Sequence, residues 1–199
     1  VQLLKEASIL VGQGKDLSFY KISSDEQIDL MDIQKSLEIR ANRDFIGLSL
    51  TETLNNMILL GIEFPTDSQL WERECVKLSK KFKLSEKQIW YLKIHCYSST
   101  GHWEQLSKLA IDGGKSPIGY KPFARACIKY GQPNVEVEKY IERITIHEDK
   151  FELLCEIEAW RKAADVAKTL RDEERLVLVA NRCKDETLQR QIQHIIEKL

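Results

Sequence analysis

Trp103-Glu-Gln-Leu106-Ser-Lys-Leu109-Ala110 sets its apolar residues three and four apart, the spacing of one helix face. The same frame returns as Trp160-x-x-Ala163-x-x-Val166-Ala167, with a weaker copy between them at Asn134-x-x-Val137-x-x-Tyr140-Ile141. The copies lie 31 and then 26 residues apart. A tetratricopeptide array would repeat every 34 residues or so and would carry glycine where Ser107 stands. A helical unit that recurs irregularly points to an all-α chain, an α-solenoid of antiparallel helical hairpins with irregular repeats, in preference to a closed bundle.

Helical periodicity continues in both directions from that stretch, with no segment of strand-like alternation. A first helix is expected over residues 1–12. Ser24 followed by Gln27 has capping-box spacing ahead of Leu30, Ile33 and Leu37. Ser49 with Glu52 opens a third helix carrying Leu50, Leu54, Met57 and Ile58, which is expected to stop at Gly61. Thr66 with Gln69 opens a fourth, striped by Trp71, Cys75, Leu78 and Phe82. Ser85 with Gln88 opens a fifth, whose apolar face of Ile89, Leu92 and Cys96 is widened by Trp90, Tyr91 and Ile94.

After the Trp103 helix, residues 113–119 read as a loop, and Pro122 fits the first turn of a helix running to Gly131. Short helices follow near 134–143, 148–170 with a break around Glu158, 172–183 and 185–199. Some ten to twelve helices with short connections result, read as one domain over 1–199. The first residue, Val1, looks like a cut from something longer.

Composition agrees. Nine Gly and four Pro are few for 199 residues, which favours long regular elements over many tight turns. Thirty Lys plus Arg against thirty-one Asp plus Glu leave a net charge of -1, so no global field draws the chain to nucleic acid. The five cysteines stand apart without a CxxC pair and read as reduced, buried residues. No apolar run approaches the roughly 18 to 20 residues of a bilayer span, so direct transmembrane insertion is not expected.

Motifs of catalysis fail on inspection. Gly113-Gly114-Lys115-Ser116 ends like a phosphate loop but has Leu109 where glycine is required and a helix where a strand is required. Gly12-Gln13-Gly14-Lys15 fails likewise. His95, Cys96 and His102 do not share a face, so no metal is expected, and no cofactor. No serine sits in a nucleophile-elbow setting, and the reading is of a non-enzyme. Two features remain as candidate contacts. Lys77, Lys80, Lys81, Lys83 and Lys87 cluster about the turn between the fourth and fifth helices, where they either cover a solvated face or meet an acidic partner or lipid headgroup. Trp90 and Tyr91, adjacent and about 100° apart on a helix, cannot both face inward.

Lys115-Ser116-Pro117-Ile118-Gly119-Tyr120-Lys121-Pro122-Phe123 is too particular for a generic loop. It resembles the Lys-Ser-Pro-Ile-Gly-Tyr-x-Pro-Phe signature of the C-terminal region of the vacuolar protein sorting subunit sixteen family. Colinear blocks agree with it: Leu48 to Leu54 with Leu59 and Gly61, Ile89-Trp-Tyr-Leu-Lys93, Trp103-Glu-Gln-Leu106 and Ala163-Ala-Asp-Val-Ala167. The resemblance covers about residues 17–185. It implies a subunit of the HOPS and CORVET tethering complexes, cytoplasmic and peripheral on late endosome, lysosome or vacuole membranes. Its implied partners are the other subunits and an SM-family protein, which it docks for SNARE-mediated membrane fusion.

By the same resemblance the docking half is 1–110, with further hairpins over 111–199. The implied contacts are Ser23, Ser24 and Ile28 on the capping segment and Lys87, Gln88 and Tyr91 on the fifth helix. Family members carry a basic residue where Gln88 stands, and the stretch around Phe64, Pro65 and Thr66 is an insertion. Two alternatives stay open: the animal paralogue that shares this region and pairs with a different SM protein, and a helical-repeat adaptor or coat subunit without an SM partner.

Overall fold

A computed structural model describes residues 2–11, 17–112 and 115–198. These residues form twelve α-helices and no strand, and consecutive helices pair as hairpins. The all-α class and the hairpin arrangement are those the periodicity predicts. The chain divides into two compact units, Val1–Cys96 and Tyr97–Leu199, with the boundary inside the fifth helix.

The first unit holds α1 (Gln2–Val11), α2 (Ser18–Ala41), α3 (Leu50–Glu63), α4 (Ser68–Lys81) and most of α5 (Glu86–Ser99). α1 packs on α2, and α3 packs on α4. The α3 start is built as its sequence predicts: Ser49 Oγ accepts the Glu52 N–H at 3.2 Å, and Glu52 accepts the Ser49 N–H at 2.8 Å. Leu54, Met57, Ile58 and Leu60 from α3 meet Trp71, Cys75 and Leu78 from α4 in the core. Burying each large side chain contributes about 1.5–3 kcal/mol. Phe45, from the turn after α2, is fully buried.

Three helix boundaries differ from the sequence expectation. α2 begins at Ser18, so Ser24 and Gln27 lie in its interior, where the backbone N–H groups already have helical partners and no cap is needed. α3 runs past Gly61 to Glu63, because Gly61 lies in the last turn and Phe64 takes the C-cap. Thr66 falls within a 3-10 turn, Pro65–Asp67, whose Asp67 N–H bonds the Phe64 carbonyl at 2.9 Å. α4 therefore starts one residue later than the Thr66 spacing suggests, with Asp67 at its N-cap.

The second unit holds the end of α5 with α6 (Trp103–Asp112), α7 (Lys121–Lys129), α8 (Asn134–Ile141), α9 (His147–Glu156), α10 (Trp160–Leu170), α11 (Glu173–Arg182) and α12 (Glu186–Ile196). The three copies of the repeat open α6, α8 and α10, each starting on the helix's first residue. Their shared positions are the buried ones: Leu106 and Ala110, Val137 and Ile141, Ala163 and Ala167. α7 pairs with α8, α9 with α10, α10 with α11 and α11 with α12, while α7 also touches α9 and α10 touches α12. Hairpins thus follow one another along this unit.

The expected break falls at Glu158, held at φ +57 between α9 and α10. α7 ends on Gly131 at φ +66, where the Gln132 N–H reaches back to the Cys127 carbonyl at 2.9 Å. That is a Schellman closure, and the left-handed residue it needs is the glycine. Asp172 and Asp185 cap α11 and α12 through their carboxylates. Ion pairs tie alternate helices: Lys121 and Arg125 of α7 to Asp149, Glu152 and Glu156 of α9, and Lys162 of α10 to Glu138 of α8 and to Glu142 at its C-cap.

Candidate partner-docking face

The six candidate contact residues all lie in the first unit, on two helices. Ser85 and Gln88 close the α5 N-terminus: Gln88 Oε1 accepts the Ser85 N–H at 2.7 Å, and Ser85 Oγ accepts the Gln88 N–H at 3.3 Å. Gln88 is therefore part of the cap that fixes where α5 begins, and its Oε1 is committed to that role. Lys87 is exposed one residue before it. Tyr91 is 53% exposed while Trp90 is only 8% exposed, so the adjacent aromatics split as their 100° separation requires. A half-exposed tyrosine beside a lysine, on a rigid and capped helix, is the kind of anchor that carries interfaces.

On α2, Ser23 is exposed and Ser24 partly so, but Ile28 is only 7% exposed and belongs to the helix's inner face. The two sets are linked through α4, whose last residue Lys81, just before the turn into α5, pairs at 2.8 Å with Asp29 of α2, next to Ile28.

Polar pins between α2 and the start of α3 carry little signal in the sequence. Gln34 of α2 is fully buried: its amide donates to the Leu48 carbonyl at 2.7 Å and to Thr53 Oγ1 at 2.8 Å, and its Oε1 accepts the Gly47 N–H at 3.3 Å. Glu38, one turn on, accepts the Phe45 and Ile46 N–H groups at 2.8 and 2.7 Å. Those backbone bonds, Ile46 first, hold its carboxyl below the usual carboxylate range. The only sequence signal is a glutamine four residues after Leu30 and three before Leu37, inside the apolar stripe.

The Lys-Ser-Pro-Ile-Gly-Tyr-x-Pro-Phe stretch is a structural entry into α7. The Gly119 N–H bonds the Ser116 carbonyl at 3.2 Å, closing a turn with glycine at φ +71. Pro122 sits in the first helical turn, Phe123 is fully buried, and the Arg143 guanidinium lies 5.3 Å from the Tyr120 ring centroid. Ser116 is buried in this turn. Gly113, Gly114 and the Gly12–Lys15 stretch lie outside the described residues.

Among the described residues no group of three His, Cys, Asp or Glu is placed to hold a metal ion. Burial pushes the Cys75 thiol up to about 12, and the Cys96 and Cys127 thiols to about 11. These are packing cysteines and not nucleophiles at neutral pH. No described helix is long and apolar enough to cross a membrane.

The sequence profile of "Vps16, C-terminal region" matches residues 1–198. The chain belongs to the Vps16 C-terminal family. A vacuolar protein sorting-associated protein 16 homolog of Dictyostelium discoideum is 30% identical over 176 residues, 88% of this chain and 19% of that protein. The Drosophila melanogaster homolog is 40% identical over 115 residues, 57% of this chain and 12% of that protein. Protein VACUOLELESS1 of Arabidopsis thaliana is 27% identical over 173 residues, 86% of this chain and 19% of that protein. This Vps16 C-terminal region thus spans at most about a fifth of the length of these relatives.

Proposed function

We propose that this chain is a non-catalytic docking platform, which holds an SM-family protein within a HOPS- or CORVET-type tether at endosomes and lysosomes or vacuoles. Membership of the Vps16 C-terminal family over residues 1–198 carries the reading. The face around Lys87 and Tyr91 is the proposed contact, with Ser23 and Ser24 at its edge. Tyr91 supplies a semi-rigid aromatic surface at low entropic cost, and Lys87 supplies orientation and on-rate. Gln88 contributes by fixing the helix start and Ile28 by supporting α2, so both act behind the contact.

The test is calorimetry of the chain with the SM-family protein of the same organism, comparing wild type with Lys87→Glu/Tyr91→Ala. Binding weakened at least about tenfold by the double change, some 1.4 kcal/mol, supports both role and face. Tight binding untouched by the change moves the face elsewhere. No binding by a chain shown helical by circular dichroism overturns the docking role.

A further inference from the structure

The first unit carries a charge concentration that the docking face does not absorb. Between Arg73 and Lys83 stand five basic residues and one acidic residue, four net positive charges in a chain whose total is -1. Lys77 is paired with Glu74 and Lys81 with Asp29. Lys80 and Lys83 are exposed and enter no ion pair among the described residues. Lys80 extends the outer face of α4 that carries exposed Arg73 and the 47% exposed Val76, three and four residues apart. Lys83 follows in the turn, at φ +54.

We propose that this lysine-rich end of α4, from Arg73 through Lys83, is a contact for an anionic lipid surface. Three features favour lipid over an acidic protein segment. The cluster is almost all lysine, a hydrated point charge on a flexible stem that meets mobile headgroups without fixed geometry, whereas lysine is depleted at protein interfaces. It sits on the outer face of a helix end and a turn, and the two cavities described line other helices, α6 and α8 to α10. Val76 among the cations gives an apolar residue for the interfacial layer. Attraction of this kind adds with each basic residue near the surface and fades within a Debye length, so it is sensitive to salt.

The experiment is co-sedimentation of the whole chain with phosphatidylcholine vesicles, with and without phosphatidylserine, at low and raised salt. Wild type is expected to partition onto the phosphatidylserine vesicles only and to be released by salt. Lys80→Glu/Lys83→Glu is expected to lose partitioning by about tenfold or more. Lys80→Gln/Lys83→Gln gives a milder loss of the same sign and stands in should the first variant not fold. The two lysines lie outside the Lys87/Tyr91 pair, so SM-protein binding by either variant reports separately on the docking face. Equal sedimentation with neutral and anionic vesicles, or partitioning unchanged in both variants, overturns the proposal. Capture by immobilised polyglutamate with no vesicle binding overturns it in favour of an acidic protein partner.

Discussion

Gln34 is a polar side chain at full burial whose three hydrogen bonds tie α2 to the start of α3 and to the turn between them. Gln34→Leu keeps the volume but leaves the Leu48 carbonyl and Thr53 Oγ1 without the Gln34 amide. An unmade buried bond costs about 1–3 kcal/mol, so urea unfolding is expected to show a loss in that range. A variant within a few tenths of a kcal/mol of wild type contradicts the role given to these bonds. Glu38 works beside it by charge. Its carboxyl titrates lower in the folded chain than in the unfolded one, so its contribution is fully present above the unfolded value near 4.5 and is lost as pH falls through the folded value. Glu38→Gln is therefore expected to flatten the acid limb of thermal stability below pH 4.5 or so. The buried thiols act at the other end of the scale. Held protonated to about 11 or 12, they give a contribution that is complete below about pH 9 and declines as pH rises above it, when the unfolded thiols ionise first. At pH 8, thiol-modifying reagent is expected to label Cys75, Cys96 and Cys127 far more slowly than in urea, and mass mapping checks this.

At the scale of the element, α3 is set at its start by a side-chain cap and crosses α4 near its end. Ser49→Ala removes the acceptor for the Glu52 N–H and is expected to cost about 1 kcal/mol. Gly61 invites the opposite change. It sits in the last turn, and a Cβ built there would meet the Trp71 Cβ at 3.5 Å, an ordinary contact. Gly61→Ala is expected to stabilise by up to about 1 kcal/mol through helix propensity, read as a higher melting temperature. This also explains why the sequence misleads at Gly61. Glycine after an apolar stripe is the usual stop signal, yet here the helix continues into Ile62 and Glu63. Ser24 and Thr66 mislead for a related reason: their spacing signals a cap, but α2 has already started at Ser18, and Pro65 draws the chain into a 3-10 turn. Where the cap is real, at Ser49 and Ser85, the residue three ahead is Glu52 or Gln88, and its side chain bonds back. Periodicity survives such local errors because burial of a whole face decides it, as Leu106, Val137 and Ala163 show at matching positions of α6, α8 and α10.

At the scale of the molecule, the class and the hairpin pairing are legible because each helix needs a neighbour for its apolar face. The candidate face is legible only in part. That one of Trp90 and Tyr91 faces out follows from helical geometry, but which one depends on how α5 packs. Ile28, a contact implied by the resemblance, lies on the inner face of α2 at 7% exposure. Lys80, Lys83 and Lys87 are visible as a cluster, whereas the pairing that occupies Lys77 and Lys81 depends on Glu74 and on Asp29, which lies on another helix. The central claim is that an SM-family protein docks on α5 of the first unit. Hydrogen-exchange mass spectrometry of the chain with and without that protein tests it most directly. The account predicts slowed exchange over residues 85–92 and around Ser23, with the second unit unchanged beyond Tyr97 to Ser99. Protection confined to α7 through α12, with residues 85–92 exchanging as in the free chain, would contradict it.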